Sequence, residues 1–218
     1  MLKYGKNIVF NPTKLDPLNI DIQSVELVPK KAKVLEIGCA TGFIGEFLIK
    51  NKGCYVVGVE IGRVEAKEAR GKLNKVIEGD IEDPKILGLV NDRFDVVFAS
   101  AIIEHLKDPW VALRNWKRFL NKDGFLIITT SNIAHWSMRL QLLKGKFNYQ
   151  EYGILDNTHL RFFTTQTFKK LINDCGYEIE LFSMDPVGGG LPKVSKFLSI
   201  FFPNLFAYQM LIKARPKS

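Results

Sequence analysis

The sequence predicts an α/β fold, a doubly wound and mostly parallel sheet with helices on both faces. Three observations carry this. Short apolar runs of strand length recur along the 218 residues. Segments with a helical period lie between them, so strands and helices alternate, as right-handed crossovers in a parallel sheet require. The first run also ends in a glycine turn that opens a helix.

That first unit sets the pattern. Val34, Leu35 and Ile37 form a run suited to a strand buried on both faces. Gly38 and Gly42 let the backbone turn tightly and approach a ligand with no Cβ in the way. From Phe43 to Lys50 the period is helical, with Phe43, Phe47 and Leu48 apolar. A strand, a glycine turn and a helix N-terminus form a nucleotide-type cradle at the strand's carboxyl end.

Cys54 to Val59 is the second strand and ends at Glu60, about 22 residues past Gly38. An acidic residue at that distance can bind a ribose, because two acceptor oxygens match two hydroxyl donors. A helix follows from Arg63 to Arg70, then a short third strand from Lys75 to Gly79 runs into Asp80-Ile81-Glu82-Asp83. Asp83-Pro84 opens the next helix, with Asp as cap and Pro in the first turn. Phe94 to Ser100 is the fourth strand, and Asp108-Pro109 caps a helix running to about Phe119. Asn121 to Gly124 is expected to be a tight turn into a fifth strand, Phe125 to Thr130.

The rhythm breaks over residues 131–164. His135, Trp136, Met138, Leu140, Leu142 and Leu143 suggest a helix, followed by a loop holding Tyr149, Tyr152, Asp156, His159 and Arg161. A stretch this long and aromatic suits an active-site cover better than a plain connection. Thr165 is expected to cap the next helix, Phe168 to Cys175, which Gly176 ends, and Tyr177 to Met184 is a sixth strand. Residues 185–191 form a glycine-rich loop, Lys193 to Phe202 a short amphipathic helix, and Pro203-Asn204 a turn. Phe197, Leu198, Ile200, Phe201 and Phe202 either pack on the sheet or touch a membrane or lipid-like substrate. Leu205 to Ala214 is read as a seventh strand.

The whole chain is expected to be one domain, with residues 1–32 as an N-terminal segment and 131–164 as a cover insertion. In that N-terminal segment, Ile20, Ile22, Val25, Leu27 and Val28 either pack on the sheet edge or close over the ligand. Tyr4 and Lys6 are candidates for a lid, against the plainer reading of a frayed terminus.

Hydrophobic residues at 46% and charged residues at 25% are typical of a soluble globular protein. The apolar runs fall well short of the roughly 18 residues of a membrane span, and Met1 to Lys6 lacks the apolar core of a secretory signal. Cys39, Cys54 and Cys175 have no metal-ligand spacing and are expected reduced and buried, in a cytoplasmic protein. The net charge of +8 allows an acidic partner, but the lysines are scattered, so a solvated basic surface is the plainer reading.

Glu36-Ile37-Gly38-Cys39-Ala40-Thr41-Gly42 resembles the first motif of class I S-adenosylmethionine-dependent methyltransferases, with Ala40 where many members have glycine. The exit of the fourth strand, Ala101 to Pro109, resembles the family's Glu-His-Leu/Val-x-Asp-Pro loop. Asp156 to Thr164 resembles a signature seen in members acting on small molecules and glycans. The resemblance implies a Rossmann-like, seven-stranded sheet whose last strand returns antiparallel along the edge. It implies S-adenosyl-L-methionine as cofactor and S-adenosyl-L-homocysteine as product. The first motif would supply Glu36, Gly38, Cys39, Ala40, Thr41 and Gly42. Glu60 and Ile61 would lie at the ribose, Asp80 and Ile81 at the adenine, and Ser100 after the fourth strand. Carboxylates near these strand ends suit a sulfonium cation.

Methyl transfer to a hydroxyl also needs a proton acceptor, and histidine is the usual agent near neutrality. His105 and His159 are the candidates, with His135 a weaker one. Tyr152, Asp156 and Arg161 are candidate substrate residues in the cover, where Arg139, Lys144, Lys146 and Arg161 lie among Trp136, Phe147, Tyr149 and Tyr152. That mixture suits a small-molecule or glycan acceptor with an anionic group; the alternative is solvated lysines beside aromatics that hold the cover down. Two rival readings stay open. One is an NAD-dependent oxidoreductase or sugar-nucleotide enzyme, although none of the tyrosines is followed by lysine four places on. The other is a cofactor-binding module without turnover. A nucleic-acid adenine methyltransferase fits poorly, because Ser100-Ala-Ile-Ile stands where such enzymes have Asn/Asp-Pro-Pro-aromatic.

Overall fold

A computed structural model describes residues 10–186 and 192–217. The lid candidates Tyr4 and Lys6, and residues 187–191 of the glycine-rich loop, lie outside the described residues. The described residues form a seven-stranded sheet in the order β3-β2-β1-β4-β5-β7-β6. Its strands are β1 (Lys33–Ile37), β2 (Tyr55–Glu60), β3 (Lys75–Glu78), β4 (Phe94–Ala99), β5 (Leu120–Ser131), β6 (Tyr177–Asp185) and β7 (Gln209–Pro216). Strands β1 to β5 pair in parallel, and β7 runs antiparallel to both of its neighbours, β5 and β6.

Continuous apolar runs in β1, β2 and β4 arise because both faces of the sheet are covered. One face packs against α1 (Ile20–Glu26), α2 (Phe43–Lys52) and the end of α3 (Arg63–Ala69), through Ile20, Val25, Ile44, Leu48 and Ala69. The other packs against α4 (Pro84–Leu89), α5 (Pro109–Trp116) and α7 (Thr165–Asp174), through Leu87, Leu113, Trp116, Phe168 and Leu171. Trp116, Phe94 and Tyr177 are fully buried, and the Tyr177 hydroxyl donates to the Leu113 carbonyl at 2.9 Å. The remaining helices are α6 (Trp136–Leu143), α8 (Pro192–Ser199) and α9 (Pro203–Phe206).

Four expectations change. The seventh strand does not lie on the edge; it is inserted between β5 and β6, and β6 is the edge strand. There its backbone pairs on both sides, with β5 and with β6, while Met210, Ile212 and Ala214 face one layer of the core and Leu211 the other. Asn121 to Gly124 is not a turn before β5 but an irregularity within it, between the pairs Phe94–Leu120 and Val96–Phe125. Helix α7 is capped by Thr164 rather than Thr165, in a reciprocal pair where Thr164 Oγ1 accepts from the Thr167 amide and Thr167 Oγ1 from the Thr164 amide. Pro203-Asn204 opens the short helix α9 instead of making a plain turn.

Within the segment 20–28, α1 (Ile20–Glu26) closes over the carboxyl ends of the strands. Its Gln23 Nε2 donates to the carbonyl of Met184 at 3.0 Å, which ties α1 to the end of β6.

Candidate active site

The site grows from the turn between β1 and α2. Gly38 has φ +70, and a Cβ there would stand 2.0 Å from Ile102 Cδ1, so the position needs glycine for conformation and for space. Ala40 takes the left-handed region at φ +46, at a cost of roughly 1–2 kcal/mol for an L residue. It is held there by Glu60, whose Oε2 accepts from the Ala40 amide at 2.8 Å while Oε1 accepts from the Gly62 amide at 2.7 Å. Ala101, after β4, is also left-handed at φ +50, and its amide donates to Thr129 Oγ1 at 3.0 Å. Ala40 and Ala101 both line the same cleft, so backbone strain is concentrated where a ligand would sit.

Two clefts open at the carboxyl ends of the strands. The larger, of about 530 Å³, is lined by Asp21, Glu36, Gly38, Cys39, Ala40 and Glu60 on one side and by Ser100, Ile102, His105 and Thr158 on the other. The smaller, of about 210 Å³, is lined by Ile61, Asp80, Ile81, Glu82, His105 and Lys107 among others. Gly38, Glu60, Ile61, Ile102 and His105 line both, so the two are halves of one groove. Ile61 is 68% exposed there, an apolar side chain presented to the groove rather than to the core. Asp80 Oδ1 accepts from the Glu82 amide at 2.8 Å, and Oδ2 lies 3.7 Å from Lys107 Nζ. Glu82 is committed elsewhere, accepting from the amides of Lys107 and Asp108 ahead of α5. Asp83 caps α4 through the Lys85 amide.

Glu36 is buried in the wall. Burial pushes its carboxyl up to about 8; the Gly45 amide opposes this shift and the neighbouring Glu60 adds to it. Among the described residues its Oε2 has no hydrogen-bond partner. The Cys39 thiol is likewise pushed up by burial and by Glu36 and Glu60, which keeps it uncharged. Thr41 and Gly42 are not among the residues lining the groove. Thr41 is fully buried, and Gly42, at φ +77, starts α2 against Ala69 and Leu73. They shape the turn from behind.

The three histidines separate clearly. His135 is fully buried as the cap of α6, and burial lowers it to about 4, so it stays neutral in the core. His105 lines the groove. Its Nδ1 lies 3.1 Å from Thr158 Oγ1 and 3.3 Å from the Thr158 carbonyl. The single Thr158 hydroxyl hydrogen goes to Asp156 Oδ1 at 2.7 Å, so His105 Nδ1 is the donor and Nε2 the acceptor nitrogen of the neutral ring. His159 is not in the lining; its Nδ1 donates to the Ile154 carbonyl at 3.0 Å, and its ring meets that of His105 edge-on at 4.7 Å.

The cover residues fall mostly outside the groove. Tyr152 is 56% exposed. Asp156 is buried and also accepts from the Thr158 amide at 2.8 Å, so it shapes the loop that carries Thr158. Arg161 donates to the carbonyls of Leu160 and Lys107, bracing the cover against the loop after β4.

Sequence reasoning passed over Glu104 and Asp21. Glu104 is 2% exposed, and its carbonyl accepts from the amides of Leu160 (2.8 Å) and Arg161 (3.0 Å). Its carboxyl is pushed up to about 7, chiefly by burial, with the neighbouring Asp156 adding to the shift. The Glu-His pair itself was the available signal for Glu104. Asp21 had none, because only the folded chain brings α1 to the groove.

Residues 19–181 match a family described as a methyltransferase domain. The chain belongs to that methyltransferase family. It is an S-adenosylmethionine-dependent methyltransferase, and S-adenosyl-L-methionine is its cofactor. The methyltransferase is 28% identical over 190 residues to a ubiquinone biosynthesis O-methyltransferase of Histophilus somni, covering 78% of this chain and 76% of the relative. A protein of the same name from Pelagibacter ubique is 28% identical over 132 residues, and there the match spans only 54% of the relative. In structure, the methyltransferase resembles a possible histamine N-methyltransferase of Thermotoga maritima (TM-score 0.64, 22% identity), covering 92% of this chain and 89% of that one. At that identity the likeness concerns the fold.

Proposed function

We propose that this methyltransferase methylates a hydroxyl oxygen of a small-molecule acceptor, with His105 as general base. The observation that carries the reading is the hydrogen-bonded chain from Asp156 through Thr158 to His105, which reaches the groove. A carboxylate that accepts from a hydroxyl, which accepts from an imidazole, fixes the ring's tautomer and orientation. Such an arrangement also steadies the positive charge the ring gains on taking a proton. The O-methyltransferase name of the Histophilus somni relative points to the same acceptor atom.

The residues present fit the cofactor. Gly38 leaves room that a Cβ would fill, Glu60 offers two carboxylate oxygens, and the exposed Ile61 and nearly buried Ile81 flank Asp80. Glu60 would hold the ribose hydroxyls, Asp80 the adenine amine, and Ile61 and Ile81 its ring faces. Gly38, Cys39, Ala40, Ser100 and Glu36 would surround the methionyl end. When bound, S-adenosylmethionine supplies a methyl group on a sulfonium. His105 would take the hydroxyl proton of the acceptor oxygen as that oxygen receives the methyl group. The protein's part is to align the oxygen and exclude water. His159 buttresses the His105 ring edge.

Labelled S-adenosylmethionine incubated with a mixed panel of phenols and sugars tests this. Transfer to oxygen is expected, and His105→Ala is expected to lower kcat by about 10²- to 10⁴-fold, with S-adenosylhomocysteine affinity kept within about threefold. Transfer only to nitrogen, or an undiminished kcat in the variant, overturns the reading.

A further inference from the structure

The ends of the strands form a row across the molecule, and the sheet order divides it. From β3 to β1 the row carries Asp80, Glu60 and Gly38, the half assigned above to the cofactor. Beyond β4 it carries Ser100, then Thr129 of β5, Gln209 of β7 and Asp185 of β6. Helix α1 lies over this second half, held by Gln23 to Ser183 and to the Met184 carbonyl.

Asp21 stands in the first turn of α1 and lines the larger cleft together with Gln209, Phe43 and Phe98. Its Oδ1 is 3.4 Å from Ser100 Oγ, a long contact, and Ser100 Oγ is 2.9 Å from Thr129 Oγ1. Burial pushes the Asp21 carboxyl up, Ser100 opposes the shift and Asp185 reinforces it. Of the other carboxylates at this end, Glu60 accepts two backbone amides, and Glu36, with one oxygen unpartnered, lies in the wall against the Gly45 backbone beside Gly38 and Cys39, in the half assigned to the cofactor. Although the chain carries a net charge of +8, the larger cleft is lined by Asp21, Glu36, Glu60 and Glu65 and, among the described residues, by no lysine or arginine. A carboxylate taken out of water without a strong partner gains most from a donor that arrives with the ligand.

We propose that Asp21 is the acceptor-side carboxylate of the cleft, taking the hydrogen of a hydroxyl or ammonium group and rejecting acceptors that place a carboxylate or phosphate there. Beside Phe43 and Phe98, the compound it suits is a ring bearing a donor group and no anion. The inference rests on the proposed small-molecule acceptor. It also replaces the anionic acceptor suggested by Arg161, whose guanidinium is bound to the Leu160 and Lys107 carbonyls.

Three matched phenols test it: tyramine, 4-ethylphenol and 4-hydroxyphenylacetate, titrated by calorimetry into the full chain saturated with S-adenosylhomocysteine. Tyramine and 4-ethylphenol are expected to bind about tenfold or more tighter than 4-hydroxyphenylacetate, the scale of a like-charge clash at an effective dielectric near 20. Asp21→Asn is expected to narrow that gap to about threefold or less, and Asp21→Glu, which keeps the charge, to retain it. Equal or tighter binding of 4-hydroxyphenylacetate, an unchanged gap in Asp21→Asn, or binding of none of the three overturns the proposal. Methyl transfer to nitrogen instead of oxygen would count against the proposed function while leaving Asp21 in place. Unchanged S-adenosylhomocysteine affinity in both variants separates an acceptor role from a cofactor role.

Discussion

Glu60 braces the glycine turn and, in the proposed reading, also holds the ligand's ribose. Its two oxygens hold the amides of Ala40 and Gly62, which keeps Ala40 in its left-handed conformation, and the side chain, whose oxygens can each accept a second hydrogen bond, lines the cleft. Glu60→Ala is therefore expected to weaken S-adenosylhomocysteine binding by about 1–3 kcal/mol, the range for hydrogen bonds to a charged group. Titration calorimetry reads this directly; an unchanged affinity would confine Glu60 to bracing the turn. The position of Glu60 was legible in the sequence because a strand end and a fixed spacing define it. Its bond to Ala40 was not, since that depends on the bend of the turn in space.

At the scale of elements, Glu104 joins three pieces that are distant in sequence. Its carbonyl anchors residues 160 and 161, and its side chain lies against Thr130 and the Ser131 backbone at the end of β5. The contact brings Thr158 to His105. Burial sets the pH dependence. The unfolded carboxyl releases its proton near 4.5, whereas the folded one keeps it to about 7, so the native state binds more protons in between. The group's contribution is full below pH 4.5 and is lost as pH rises to about 7, at up to about 1.4 kcal/mol per pH unit. Glu104→Gln is expected to flatten the stability profile across that window in urea titrations. Glu36, raised to about 8, leaves a residual slope in the variant. An identical slope in both proteins would mean that Glu104 is already ionised in the fold.

For the whole molecule, the groove spans the ends of β3, β2, β1 and β4, so a bound ligand ties several strands together. A ligand that binds only the folded state stabilises it by about 2.7 kcal/mol at a hundredfold excess over Kd. For a chain of this length that corresponds to a rise in Tm of roughly 5–10 °C. S-adenosylhomocysteine is expected to produce this shift and NAD none, and scanning calorimetry with each ligand decides. An equal shift with NAD would point the glycine turn at a pyrophosphate instead.

The sequence by itself determined the alternation of strands and helices, the glycine turn and the acidic strand ends, and through these the family. Each depends on local chemistry: a period of 2 or 3.6, a residue without a Cβ, or a carboxylate at a set distance along the chain. Only the tertiary structure decided that β7 enters between β5 and β6, because hydrogen bonding on both sides of a strand leaves no mark in its own residues. It alone placed Asp21 over Ser100, 79 positions away in sequence. It also turned Asp156, Thr158 and His105 into one hydrogen-bonded chain and set the Arg161 guanidinium against the Leu160 and Lys107 carbonyls. The aromatic and basic composition of the cover was compatible with either binding or bracing. Which of the two a side chain performs is set by the carbonyls and carboxylates that folding brings within 3 Å of it, and those come from elsewhere in the chain.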